Sequence, residues 1–212
     1  MLSPESRTAL AKAMLTDVLK SLHGVEGLSC VCVVSPDEEA KRVAVSCGAQ
    51  VLDDPEEGGQ SRAGAIGIDY AQTTHHDRVL LAPADTPLLD SEQVSALLAE
   101  DTKIPQAVIV PDRHHSGTNG LLLAPPDALS PSFGPDSLRR HTSIAAESGA
   151  DAQVRALSSL ALDIDTPDDL ARLVYELGLS ETERAAQTQK ALETLLEQPL
   201  SALKSRSEAR AL

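Results

Sequence analysis

Three aspartates and one basic, hydroxyl-rich stretch are the residues of this chain best suited to chemistry. Asp85 stands in Pro83-Ala84-Asp85-Thr86-Pro87, and Asp163 and Asp165 stand in Leu162-Asp163-Ile164-Asp165-Thr166-Pro167, each set at the end of an apolar run. Carboxylate oxygens suit Mg²⁺, which takes one or two of them from a protein and leaves its other positions to water and phosphates. Asp85 is the first ligand candidate, Asp165 the second and Asp163 the third. All three also have a simpler reading, as loop carboxylates beside helix caps.

The basic stretch begins with Arg113, His114, His115, Ser116, Thr118 and Asn119, and resumes at Phe133-Gly134-Pro135-Asp136-Ser137 with Arg139, Arg140 and His141 behind it. Phe133 to Ser137 reads as a helix start, with Pro at ease in the first turn and Asp136 or Ser137 able to satisfy a free N–H. Such an end attracts anions through its N–H groups and dipole. Gly134 lets a phosphate approach the backbone, Thr118 and Ser137 offer hydroxyl donors, and Arg113, Arg139 and Arg140 pair with carboxylate or phosphate. A phosphate-bearing small molecule is the ligand this set fits. A His-only metal site at His114, His115 and His141 lacks a further ligand at helical or strand spacing.

Alternating strands and helices must position these groups. Ser3-Pro4-Glu5 opens a helix with Leu10, Met14, Val18 and Leu22 at helical spacing, closing at Gly24. A strand follows over Leu28 to Ser35, a helix opened by a capping box at Ser35 and Glu38, a short strand from Ala49 to Leu52, and a helix from Ser61 to Gln72. Asp77 to Pro83 reads as a strand, Ser91 to Asp101 as a helix, and Gln106 to Pro111 and Gly120 to Ala124 as strands. After the Phe133–Ser137 helix come a last strand over Ser159 to Asp163 and a helix capped at Thr166 that runs to Gly178. The alternation predicts an α/β domain with a mostly parallel sheet, whose ligands bind beyond the carboxyl ends of the strands. Asp85, Asp163 and Asp165 fall near two such ends. From Ser180 the tail has its own cap, with Glu183, and a helix through Leu192, Leu195 and Leu196, packed at the surface or against a second subunit in a homodimer; disorder is expected after Leu203.

The chain has 212 residues, 42% hydrophobic and 24% charged, which suits one domain with a sizeable core. With aromatics at 1%, aliphatic side chains must fill that core. A net charge of −14 argues against a nucleic-acid or anionic membrane surface. Cys30 and Cys32 alternate along an apolar run and, with Cys47, form no disulfide framework or metal set; they suit burial. No signal peptide or membrane-spanning run is evident, so the expected location is the cytoplasm.

Ser116-Gly117-Thr118-Asn119 together with Phe133-Gly134-Pro135-Asp136-Ser137 resembles the guanylyltransferase family of coenzyme F420 biosynthesis, which joins GTP to 2-phospholactate or phosphoenolpyruvate. Leu80 to Leu89 and Leu162 to Leu170 also match, though many nucleotidyltransferases share those motifs. The resemblance covers roughly residues 2–177. It implies a Rossmann-like, GT-A-like sandwich over residues 1–178, with 179–212 as a helical extension, and a Mg²⁺-dependent transfer of GMP with Asp85 in the catalytic role. It makes Thr118, Gly134 and Ser137 the acceptor-binding residues. It places Gly59, Gln60 and Ser61 where the family contacts the purine base. It further implies a first strand and a cationic loop around the triphosphate, and the sequence as given opens at the helix that follows them, so the sheet is expected to be one strand short. Two other readings remain open. A different small-molecule nucleotidyltransferase, such as one serving molybdenum cofactor, would use the shared Asp85 and Asp165 motifs. A non-catalytic binding protein would keep only the acceptor pocket.

Overall fold

Helix α1 (Pro4–His23) starts where the Ser3 hydroxyl accepts the Ser6 amide, with Pro4 in the first turn, as the sequence predicts. The computed structural model describes residues 2–100, 103–179 and 184–200. Strand β1 (Cys32–Val34) is shorter than expected and leads to α2 (Glu38–Ser46). The cap of α2 is Asp37, whose carboxylate accepts the Ala40 amide at 2.7 Å; Ser35, the expected cap, accepts only the Asp37 amide. Then come β2 (Gln50–Leu52), α3 (Gly59–Thr73), β3 (Val79–Leu81), α4 (Ser91–Leu98), β4 (Gln106–Pro111), β5 (Thr118–Ala124), α5 (Ser137–Ser148), β6 (Asp151–Val154), α6 (Pro167–Leu179) and α7 (Ala186–Leu196).

The α/β architecture is as expected. Strands β3, β5, β4 and β6 form one sheet in that order, and β1 and β2 form another. The β1–β2 and β4–β6 pairs are parallel, while β5 runs antiparallel to both β3 and β4 because it returns from β4 through a short loop. Both β4 and β5 are buried throughout, so their alternating side chains fill two cores. Val108, Val110 and Leu122 join Val18, Val94 and Leu97 on one face, and Ala107, Ile109, Leu121 and Leu123 join Ile68 and Ala145 on the other. The strand expected at Ser159 to Asp163 is instead a connection of turns and extended chain whose Leu160 and Leu162 are buried. The sheet position goes to β6, whose exposed Asp151 and Ala152 carry no apolar alternation, as an edge strand permits.

Helix α7 packs against α1 and α6 of the same chain, with Leu192 and Leu200 buried beside Leu10, Leu173 and Leu177. Ala185 offers no side-chain cap, and Asp17 of α1 substitutes by accepting the Gln187 and Thr188 amides and the Thr188 hydroxyl at 3.1, 2.7 and 2.7 Å. The cap expected at Ser180 and Glu183 and the disorder expected after Leu203 lie outside the described residues.

Among the described residues, strands β1 and β3 each pair on one side only, and their other edges border a cavity of about 820 Å³. Its walls include Val31 and Val34 beside β2, Val79 and Leu81 beside β5, Met14 and Val18 of α1, and Gly64 and Gly67 of α3. The Gln50 amide binds the Val31 carbonyl and the Ser35 amide the Leu52 carbonyl, so by alternation Cys32 and Val34 turn their peptide groups toward the cavity. Helix α1 runs antiparallel to β1, since Lys12 in its first half pairs with Glu39 beyond the carboxyl end of β1. A strand parallel to β1 would therefore leave the cavity close to the start of α1. Fusing a Val- and Ile-rich segment of about five residues ahead of Met1 through a Gly/Ser linker is expected to slow amide exchange at Cys32 and Val34 at least roughly tenfold. A Gly/Ser extension of equal length should leave exchange unchanged, and equal protection by both would refute this account of the cavity.

Candidate active site

The carboxyl end of β3 delivers Asp85 through the turn Pro83–Thr86, which the Thr86 hydroxyl closes on the Pro83 carbonyl at 3.2 Å. Oδ1 of Asp85 is buried without a hydrogen-bond partner among the described residues. Burial, reinforced by the charges of Asp165 and Asp163, pushes its carboxyl up to about 6. Burial and the charges of Asp163 and Asp169 also raise Asp165. The three predicted carboxylates thus share one neighbourhood. Asn119, the second residue of β5, holds the arrangement by donating from Nδ2 to Asp163 Oδ1 at 3.1 Å and to the Leu160 carbonyl at 2.9 Å.

Arg113 follows β4 and is committed to Asp169 at 2.6 Å, rather than standing free as the sequence suggests. Burial works to raise Asp169, but hydrogen bonds from the Thr166 hydroxyl and amide and the charge of Arg113 outweigh it, holding the carboxyl below its usual range. Nε of Arg113 is buried and has no hydrogen-bond partner among the described residues, so one charge-assisted donor remains there. The described residues contain no group of three or more His, Cys, Asp or Glu arranged to cage a metal. The donor set still fits a hard divalent cation that takes one or two protein carboxylates, because Asp85 keeps a bare oxygen beside two further acids.

The acceptor-side residues also converge, by a different route from the one predicted. Helix α5 begins at Ser137, its N-cap Asp136 lies in the left-handed region at φ 56°, and no side chain caps it. The Ser137 amide is held by the Gly134 carbonyl and the Leu138 amide by the Ser116 carbonyl, so two first-turn donors are already engaged. Gly134 at φ 104° makes the turn that other residues resist. Arg140 is not a free cation: Nη2 donates to the Ser132 and Phe133 carbonyls at 3.0 and 2.9 Å, Nε donates to the Ser132 hydroxyl, and Nη1 reaches the Pro135 carbonyl. Arg139 is 82% exposed. Thr118 and Ser137 are buried, and Thr118 meets Nδ1 of buried His141 at 3.0 Å.

On the third side, Gly59 and Gln60 open α3 and border the cavity that also reaches Asp85. Gly59 takes φ 76°, and no side chain caps the helix. The Ser61 hydroxyl accepts the Phe133 amide at 2.8 Å, which ties the loop expected to contact the base to the loop expected to contact the acceptor. Gly64 is needed where α3 meets β3, since a Cβ there would stand 3.2 Å from both Leu81 and Pro131. Sequence reasoning omitted Asn119, Asp169 and His141 as organisers. The available signal was the Thr166-x-x-Asp169 cap, which also gives Arg113 its partner.

The fold is that of the nucleotidyltransferases. A cytidylyltransferase from Leptospira borgpetersenii superposes with a TM-score of 0.55 at 15% identity, over 87% of this chain and 84% of that one. A 4-diphosphocytidyl-2C-methyl-D-erythritol synthase gives 0.58 at 17%, over 76% and 86%. The family described as "Guanylyl transferase CofC like" matches residues 1–188. A phosphoenolpyruvate guanylyltransferase from Conexibacter woesei is 47% identical over 191 residues, 90% of this chain and 85% of that protein. A 2-phospho-L-lactate guanylyltransferase from Methanothermobacter thermautotrophicus is 35% identical over 175 residues, covering 82% and 75%. The chain therefore belongs to the CofC-like guanylyl transferase family.

The raised Asp85 carboxyl gives a stability test. Its protonated form favours folding fully below the ordinary value of 3.8, and that contribution is lost as pH rises through about 6. Asp85→Asn, which is neutral at every pH, is expected to raise stability by about 1–2 kcal/mol at pH 8, discounted for partial exposure, and by little at pH 4. Denaturant titrations at the two pH values measure this. An equal or reversed effect would refute the burial of an unpaired charge.

Proposed function

We propose that the chain transfers GMP from GTP to the phosphate of a small phospho-carboxylic acid and releases pyrophosphate, as a step of coenzyme F420 biosynthesis. Phosphoenolpyruvate is favoured over 2-phospho-L-lactate as the acceptor, because the relative at 47% identity carries that name. The structural observation that carries the reading is the bare, buried oxygen of Asp85 among acids whose charges raise its proton affinity. A group kept in that state is unfavourable for folding and is explained by a ligand it awaits.

The acceptor needs no general base. A phosphate monoester has a second pKa near ~6 and is largely a dianion at pH 7. One of its oxygens forms a bond to the α-phosphorus of GTP, and the bond from that phosphorus to the bridging oxygen breaks, leaving its electrons on pyrophosphate. Positioning and charge neutralisation are what remain for the protein. Asp85 and Asp165, with Asp163 third, would hold Mg²⁺, which when bound neutralises the triphosphate and the leaving pyrophosphate. Thr118, Gly134 and Ser137 seat the acceptor's phosphate, and Arg113 supplies positive charge nearby. Arg139, exposed beside this loop, adds long-range attraction, while Arg140 shapes the pocket. Gly59 and Gln60 lie at the base-binding end, with Ser61 supporting them from behind. No helix among the described residues is long and apolar enough to cross a membrane, and the proposed substrates fit a cytoplasmic enzyme.

The test is a phosphorus NMR time course with GTP, Mg²⁺ and each phospho-acid. A diphosphate diester signal with released pyrophosphate is expected for phosphoenolpyruvate. Asp85→Ala should abolish it with the fold intact, and Ser137→Ala should raise the acceptor KM roughly ten- to hundredfold with little change for GTP. Wild-type rates in Asp85→Ala would overturn the metal assignment. Binding of the acid without turnover would favour the non-catalytic reading.

A further inference from the structure

His141 is the most completely buried titratable side chain in the acceptor region, with 0% exposure, and the chemistry above does not use it. Its Nε2 receives the Ser132 backbone amide at 2.8 Å, and its Nδ1 stands 3.0 Å from Thr118 Oγ1. A backbone amide can only donate, so Nε2 must present its lone pair. The proton of a neutral ring is then on Nδ1, and it can only be given to the Thr118 oxygen. Burial and the neighbouring Arg140 charge push the ring down to about 4, which keeps it neutral near physiological pH.

This fixes the polarity of a hydroxyl two bonds away. With a lone pair of Oγ1 occupied by His141, Thr118 is left as a donor, the form needed to face a phosphate oxygen. The same ring meets Phe133 edge-on, with centroids 5.1 Å apart, and sits one turn behind Ser137 on the same side of α5. Thr118, Ser132 and Phe133 thus converge on one imidazole. Arg140, through the Ser132 and Phe133 carbonyls, and Ser61, through the Phe133 amide, fix the loop that supplies its second hydrogen bond.

We propose that His141, as the Nδ1–H tautomer, is a positioning residue that locks Thr118 as a hydrogen-bond donor toward the acceptor's phosphate. The role rests on the guanylyltransferase reading for its substrate and on geometry for its tautomer.

Two measurements separate these. Long-range proton–nitrogen correlation spectra of the ¹⁵N-histidine-labelled chain report the tautomer without any turnover. A protonated Nδ1 with an unprotonated Nε2 on His141 is expected, and an Nε2–H signal overturns the proposal whatever the activity. The second measurement is steady-state kinetics with GTP and phosphoenolpyruvate. His141→Gln can keep an acceptor for the Ser132 amide but removes the donor to Thr118. His141→Asn keeps an N–H near the Nδ1 position. The acceptor KM is expected to rise roughly tenfold in His141→Gln and to stay within about threefold in His141→Asn, with the GTP KM unchanged in both. Thr118→Val should produce the larger rise, and combining it with His141→Gln should add nothing. Equal losses in the Gln and Asn variants, or additive losses in the double variant, would reduce His141 to packing. If the unsubstituted chain forms no product, the guanylyltransferase reading fails while the tautomer result stands.

Discussion

Burial of β5 on both faces between β3 and β4 is the constraint on which the site depends. Leu121 and Leu123 face one core and Leu122 the other, and each fully buried leucine contributes on the order of 2 kcal/mol. A slip by one residue would exchange the faces, so the register is strongly specified. That register sets Thr118 and Asn119 at the entrance of the strand. From there Thr118 reaches His141, and Asn119 reaches Asp163 and the chain at Leu160. The other neighbour, β3, ends in the turn that carries Asp85. Thr118, the proposed acceptor contact, and the carboxylates are therefore placed by the same strand.

Electrostatics then divide the labour. Arg113 compensates Asp169, and the Thr166 cap satisfies its other oxygen, so this acid is structural and its charge is absorbed. Oδ1 of Asp85 receives no such partner among the described residues. In a chain of net charge −14, two of the nearby cations are already committed, Arg140 to backbone carbonyls and Arg113 to Asp169. Stability is conceded at Asp85 and recovered in the aliphatic cores and in the docking of α7 through Asp17, a division common at functional sites.

Much of this was legible in the sequence where local chemistry decides. The Ser3-Pro4 start, the apolar β4 and β5 runs, the Asp85 turn and the Thr166 cap act over a few residues and leave a periodic or capping signal. What escaped was set at long range. Leu160 and Leu162 alternate like a strand but pin a connection to the core, while β6 is polar because it lies at an edge. The Phe133–Ser137 cap failed because its first amides find the Gly134 and Ser116 carbonyls, the latter from the loop between β4 and β5. Arg140 looked like a ligand for phosphate because nothing local reveals that three carbonyls surround it.

The division of the sheet has a mechanical meaning. Gly59 and Gln60 follow the β1–β2 pair, whereas Thr118 lies in the four-stranded piece, Asp85 follows its β3, and Asp163 is tied to its β5 through Asn119. No ladder hydrogen bond joins the two pieces among the described residues; helix packing and the Ser61–Phe133 hydrogen bond span them instead. Side-chain packing yields to small sliding more readily than a peptide ladder does. The separation between the proposed base-binding end and the proposed acceptor pocket is thus the softest dimension of the site, and its length is governed by how α1 and α3 are seated.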